Sequence, residues 1–435
     1  MICSYQEIFF GAVCAKTLEN KIIRILYYKL FFILTVFFQF HCSETEKNPK
    51  NTFVVATYDD VKDWDPATAF SLEVFPMSNM YEPLLWYDAG SKPGKFVPGL
   101  AISYSKSKDG LTWTFNLRDN VFFHDGTKFD SQAVKFVVER NKRLNGGASY
   151  IWSYVEKIII NNPYQITFIL TTPVPFDKIV SSQYGAWMYS PSINSISEDS
   201  LMNGFGSGTG PYQLKKWVRN KYILLEKFDN YWKGWDKTNH YESILFQIAS
   251  ESSTRLQMIE SGIADYAVLI PNQLLSRLEE NPKVSVSYHQ SWANEFYLLN
   301  TKKHPTDNLW VRRAIASSLN RKTLANYIYK NTAVEPKGLI PQSIPLFIEP
   351  DSLISFDLDL AKGYLKKAEI DLSNTTIDLS YVSTYEEYRL TTFMLLDNLR
   401  KLDVQLELKP GLWSTNWDKA KVLETAPNII SMAWW

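Results

Sequence analysis

The chain has 435 residues, enough for two or three packed lobes. Lysine plus arginine equals aspartate plus glutamate, 46 of each, so no net field draws it toward nucleic acid, and none is expected as a partner. Every cysteine lies at or before position 42, which excludes disulfides, thiolate catalysis and Cys-ligated zinc downstream of Cys42.

From the start, Lys21, Arg24 and Lys29 precede an apolar stretch at 30–40. That stretch is too short to span a bilayer and has the form of a secretory signal. Cys42 and a polar run at 43–50 follow, so residues 1–41 read as the signal and 42–51 as a tether. A first strand is predicted at 52–57, followed by the loop Asp63-Trp64-Asp65-Pro66. Residues 77–87 read as a helix broken at Pro83. Next, Leu111, Trp113, Phe115 and Leu117 alternate with Thr112, Thr114 and Asn116, the period of a strand with one apolar face. A short strand at 121–123 and the turn His124-Asp125-Gly126-Thr127 lead to a helix. Asp130 or Ser131 caps it, with Ala133, Val134, Val137 and Val138 on one face. The His124-Asp125 pair is read as part of that turn rather than as a metal or acid–base pair.

Strands are predicted at 157–160 and 165–170. The glycine-rich run at 206–212 lacks the following helix with Lys-Ser/Thr that a phosphate loop needs; strands at 212–214 and 221–228 are predicted instead. A helix at 251–262 carries Leu256 and Ile259 on one face and stops at Gly262. A strand at 292–300 and a helix through Val311, Ala314, Ile315, Ser318 and Leu319 come next. Leu360, Ala361, Tyr364, Leu365 and Ala368 mark another helix, and Leu395, Leu399 and Leu402 a third. Val404, Leu406 and Leu408 alternate along a strand. Most of the 14 Trp, 25 Tyr and 25 Phe belong to cores, but such a surplus also suits a pocket that grips varied ligands by stacking.

Several runs stand in a fixed order: D-G-L-T-W-T-F-N-L-R at 109–118, F-H-D-G at 123–126, G-T-G-P-Y at 208–212, L-N-T at 299–301, V-R-R-A at 311–314 and G-L-I-P at 338–341. With Y-E-P-L at 81–84 and N-Y-W at 230–232, this order resembles the bacterial extracellular solute-binding proteins of the peptide/nickel class, receptor subunits of ABC importers. The resemblance implies an α/β, class II periplasmic-binding-protein-like fold of two hinged lobes. Residues 52–95 plus 204–290 are expected to form the first lobe, 96–203 an inserted subdomain, and 291–435 an incomplete second lobe. The family continues past this point into a W-x-x-D-Y-P-D-P loop lining the ligand site, so a truncated product that binds weakly or not at all is one expectation.

The resemblance further implies a monomeric receptor, not an enzyme, without catalytic residues, cofactor or metal. It would capture peptides outside the membrane and deliver them to an ABC permease and ATPase complex. Cys42 would be lipidated, holding the protein on the periplasmic or outer face of a bacterial membrane, although Gln39, Phe40 and His41 depart from the usual lipobox. Asp65, Trp187, Trp292, Asn294 and Trp434 are expected to face the ligand, the last as the tryptophan of the W-x-x-D loop. Nickel complexes and haem are the alternatives within the family; the arginine-free segment 184–191 favours a neutral or peptide ligand. A sugar-cleaving hydrolase is the alternative outside it, opposed by the absence of a serine elbow or H-E-x-x-H and by only five dispersed histidines.

Overall fold

The computed structural model describes residues 51–88, 95–235, 240–288, 291–342, 344, 347–372 and 375–434; the expected signal and Cys42 lie outside them. In the first lobe, β1 (Thr52–Thr57) runs parallel to β10 (Ser243–Ile248) and to β11 (Tyr266–Ala267). The antiparallel strands β9 (Tyr222–Lys227) and β8 (Tyr212–Val218) complete a sheet of order β11-β1-β10-β9-β8. Both faces of β1 are covered. Val54 and Ala56 pack with Leu245 and Met258, whereas Val55 joins Ile244 and Phe246 in a larger core. A strand enclosed on both sides reads as a continuous apolar run, and 53–56 is one.

Between β1 and β8 in the chain lies a second sheet. It is built from β4 (Ala101–Lys106), β5 (Thr112–Leu117), β6 (Val155–Asn162) and β7 (Gln165–Leu170), all antiparallel, in the order β4-β5-β7-β6. Trp113, Phe115 and Leu117 are buried, as the period of two requires. Helix α1 (Ser131–Leu144) covers them, and Asp130 caps it by accepting from the Ala133 N–H at 3.0 Å. Trp113, Phe115 and Phe168 belong to the same core as Val55 and Phe246, so the two sheets share one apolar interior.

Two expected elements differ. Residues 121–123 form no named strand; Phe122 bridges only to Lys128, and the Phe123 N–H closes a turn onto Thr127. The helix expected over 77–87 stops at Met77, in a short helix Val74–Met77. Beyond it Pro83, which lacks a donor, precedes the extended strand β2 (Leu85–Asp88), paired with β3 (Lys95–Pro98).

The second lobe has a sheet of order β12-β15-β13-β14. Strand β12 (Asn294–Leu299) is antiparallel to β15 (Ile429–Trp434), and β15 is parallel to β13 (Thr376–Val382), which is parallel to β14 (Gln405–Gly411). Helix α2 (Leu309–Ser317) packs on α3 (Leu358–Ala368). Asn308 and Asp357 cap them, accepting from Trp310 N and Leu360 N, each at 2.8 Å. Helix α4 (Glu386–Arg400) joins β13 to β14, and α5 (Trp413–Ala420) joins β14 to β15. Ile377, Leu379, Leu395, Leu399 and Ile429 centre this lobe's core. Residues 268–293 connect the lobes. Arg255 clamps their start by donating to the carbonyls of Ala249, Ser250, Val268 and Leu269 at 2.7–2.8 Å. Leu269 there takes a left-handed φ of 56°, strained for a branched side chain.

Candidate functional site

Strand polarity points to the site. Parallel strands β1 and β10 end at Thr57 and Ile248, and β13, β14 and β15 end at Val382, Gly411 and Trp434. Ligands of open α/β sheets sit outside such carboxyl ends. Here the segments leaving the two sets meet. Ser414 Oγ donates to Asp59 Oδ2 at 2.9 Å, Trp413 Nε1 donates to Ser71 Oγ, and Lys62 Nζ stands 3.6 Å from Asp418 Oδ2. Between them is a cavity of about 610 Å³, walled by residues 60–73 and Glu198, Leu201 and Met202 on one side. Trp413, Trp417, Asp418 and Lys421 form the other. The two tryptophans are one helical turn apart, so they share a face of α5 and stack at 5.3 Å with 17° between their planes.

The cavity's polar groups are mostly acidic. Asp60 accepts from Trp217 Nε1 at 3.0 Å and Asn220 N at 2.6 Å. Burial pushes the Asp63 carboxyl up, while its bond from Thr68 Oγ1 at 2.6 Å opposes the shift. Glu73 Oε1 accepts from the Lys62 N–H at 3.2 Å, and its enclosed Oε2 has no partner; burial raises this carboxyl too. Against Asp60, Asp63, Asp65, Glu73, Glu198 and Asp418 stand only Lys62 and Lys421 in the lining.

The residues singled out from sequence fall in two places. Asp65 lines the cavity, but its carboxylate is engaged inside the first lobe by Arg140, at 2.8 and 2.6 Å, and by the Ala67 N–H at 2.9 Å. Trp187 is 0% exposed, packed in the core near Tyr81 and Tyr184. Trp292, Asn294 and Trp434 gather at the start of β12. Asn294 lies opposite Trp434 in register and donates to the carbonyls of Gly338 and Leu339 at 3.0 and 2.9 Å, while Trp292 packs on Tyr87 at 5.3 Å. That end borders a second cavity of about 600 Å³ with Glu295, Tyr297, Tyr385, Tyr388 and Ala433 in its lining. Trp413, Trp417 and Glu73 were not foreseen. The signal for the tryptophans was their spacing of four directly after a predicted strand.

The family-like motifs of the first lobe meet away from both cavities, whereas Ile340 and Pro341 of G-L-I-P line the second. Glu82, 2% exposed, accepts from Thr209 Oγ1 at 3.0 Å, Tyr231 OH at 2.9 Å and Trp232 Nε1 at 2.8 Å. Arg118 lies over the Trp232 ring at 4.1 Å and donates to Gly99 O at 2.7 Å. His124 docks on the glycine loop: Nε2 donates to Gly210 O at 2.9 Å and Nδ1 accepts from Gly208 N at 3.3 Å. Burial lowers its pKa to about 4.

A family model described as "Bacterial extracellular solute-binding proteins, family 5 Middle" matches residues 95–435. The glutathione-binding protein of Pectobacterium atrosepticum is 29% identical over 302 residues, 67% of this chain and 55% of that protein. The nickel-binding periplasmic protein of Escherichia coli is 30% identical over 318 residues, 68% of this chain and 57% of that protein. The chain thus spans little more than half the length of these relatives. Among solved structures, the periplasmic binding protein DppA of Helicobacter pylori in complex with the peptide STSA shares the fold. Its TM-score is 0.78 at 22% identity, over 88% of this chain and 78% of that one.

Proposed function

The chain belongs to the bacterial extracellular solute-binding proteins of family 5, and from that premise we propose that it is a receptor of an ABC importer that closes its two lobes on a peptide. The observation that carries this reading is the cavity between the carboxyl ends of the two sheets, with stacked Trp413 and Trp417 on one wall and the 60–73 loop on the other. Its acidic lining favours neutral or basic peptides over glutathione, whose two carboxylates outnumber its one ammonium. The receptor would act as a monomer with lobe boundaries near residues 95, 204 and 290, lipidated at Cys42, and would hand its peptide to a permease and ATPase complex. Trp292, Asn294 and Trp434 would form one flank of the ligand site.

Calorimetry of the chain against defined di- to pentapeptides, glutathione and nickel–histidine tests the reading. A peptide should bind, and Trp413→Ala should weaken it by about fivefold or more, the loss of an aromatic contact worth more than about 1 kcal/mol. Binding of glutathione alone, or an unchanged affinity in the variant, would refute it. Fatty-acid labelling that Cys42→Ala leaves unaltered would remove the lipid anchor.

A further inference from the structure

The second cavity contains charge that nothing in it offsets. Glu295 on β12 lines it, and among the described residues no hydrogen bond or ion pair reaches its carboxyl. Glu387 of α4 lies behind it, 0% exposed. Its Oε1 accepts from Asn272 N at 2.7 Å and Nδ2 at 2.9 Å, while Oε2 is enclosed without a partner. Thr391 Oγ1 and Tyr329 OH, in the lining, are likewise enclosed and unpartnered. The cation of the lining, Arg321, turns to Glu335 at 3.9 Å. The remaining titratable groups of the lining are tyrosines: Tyr288, which donates to Glu279 Oε1 at 2.8 Å, Tyr297, and Tyr385 and Tyr388, whose rings stand 4.4 Å apart.

A buried carboxylate without a partner is strongly unfavourable, so such a site either holds a proton or receives a cation. Aromatic faces around it suit an organic cation, because the ring quadrupole attracts positive charge. We infer that this cavity is a subsite for a basic side chain of the bound solute, an ammonium or guanidinium. Glu295 and Glu387 supply the countercharge and the Tyr385 and Tyr388 rings the walls. The inference rests on the receptor reading above and names the ligand chemistry that one flank of the cleft selects. Burial, with Glu387 adding repulsion, pushes the Glu295 carboxyl up to about 8, so a cation entering at neutral pH should displace a proton from it.

The test compares the tripeptides Ala-Lys-Ala and Ala-norleucine-Ala by calorimetry at pH 7 in two buffers of different ionisation heat. Norleucine keeps the length of the side chain and removes the charge. The lysine peptide should bind at least tenfold tighter and release close to one proton. Glu295→Gln should bring the two affinities together and abolish the proton release. Equal affinities in the wild type, or an undiminished preference in the variant, would overturn the subsite while the receptor reading stands on norleucine binding. If neither peptide binds, the receptor reading fails for peptides, and agmatine decides the subsite alone. It should raise the melting temperature of the wild type and not of Glu295→Gln; equal shifts, or none, would overturn it.

Discussion

Acid should loosen the joint between the H-D-G turn and the glycine loop, and the loss can be assigned to His124. The ring accepts from Gly208 N–H through Nδ1 and donates to Gly210 O through Nε2, so the structure specifies one neutral tautomer. A proton on Nδ1 would set two donors against each other. Burial depresses the pKa from 6.5 to about 4; the Gly210 carbonyl and Asp125 oppose the shift without reversing it. The unfolded chain therefore takes up this proton first as pH falls. Stability from the neutral ring is full above about 6.5 and is lost progressively down to about 4. At about 1.36 kcal/mol per pH unit, the span from 6.5 to about 4 corresponds to about 3 kcal/mol. His124→Gln offers a donor and an acceptor of similar reach and does not titrate. Urea midpoints followed by tryptophan fluorescence at pH 7, 6, 5 and 4 should show the wild type losing about 3 kcal/mol relative to the variant. The raised carboxyls of Glu73, Glu82 and Glu295 titrate in both proteins and cancel in the difference. Parallel curves would refute the argument.

Glu82→Ala strands three donors in the first lobe, each worth about 1–3 kcal/mol when left unpaired. The unfolding free energy should fall accordingly, by roughly 3–9 kcal/mol in all, read from a lowered denaturation midpoint. Arg140→Met leaves Asp65 charged in a buried place and should cost about 3–5 kcal/mol, whereas adding Asp65→Asn should recover much of that loss in a double-mutant cycle. At Gly208 a Cβ would stand 2.0 Å from Met80 O, so Gly208→Ala should yield little soluble folded protein. Gly363, inside α3 with open space around its Cβ position, should accept alanine with a gain of about 0.5–1 kcal/mol, seen as a raised melting temperature.

Where local chemistry dominates, the fold was legible. The alternation from Leu111 to Leu117 could only satisfy one buried face, and Asp130 had a donor to cap at Ala133. The first-lobe motifs were legible for the same reason that they are not the site. Glu82, His124, Arg118 and the glycines at 208 and 210 fit one another at hydrogen-bond or van der Waals range, leaving few alternatives at each position. The cavity depends instead on the approach of distant segments, such as Ser71 to Trp413 across 342 positions, and no local period encodes that approach. Pro83 shows the smaller failure. The apolar spacing around it fits a helix, but an extended pairing of β2 with β3 supplies the backbone bonds that proline interrupts.

What holds the cleft together is weak. Lys62 and Asp418 are 47% and 57% exposed, and a pair so solvated contributes about 0–1 kcal/mol. The Ser414–Asp59 and Trp413–Ser71 hydrogen bonds replace bonds to water and add about 1 kcal/mol each. Such a sum, roughly 2–3 kcal/mol, lies within reach of a ligand's differential affinity for the two states. Closure can then follow occupancy rather than precede it. The Arg255 clamp makes four hydrogen bonds to backbone carbonyls on the first-lobe side of the connecting segment and is fully buried. Opening should therefore be absorbed beyond Leu269, where the backbone is already strained and the clamp ends.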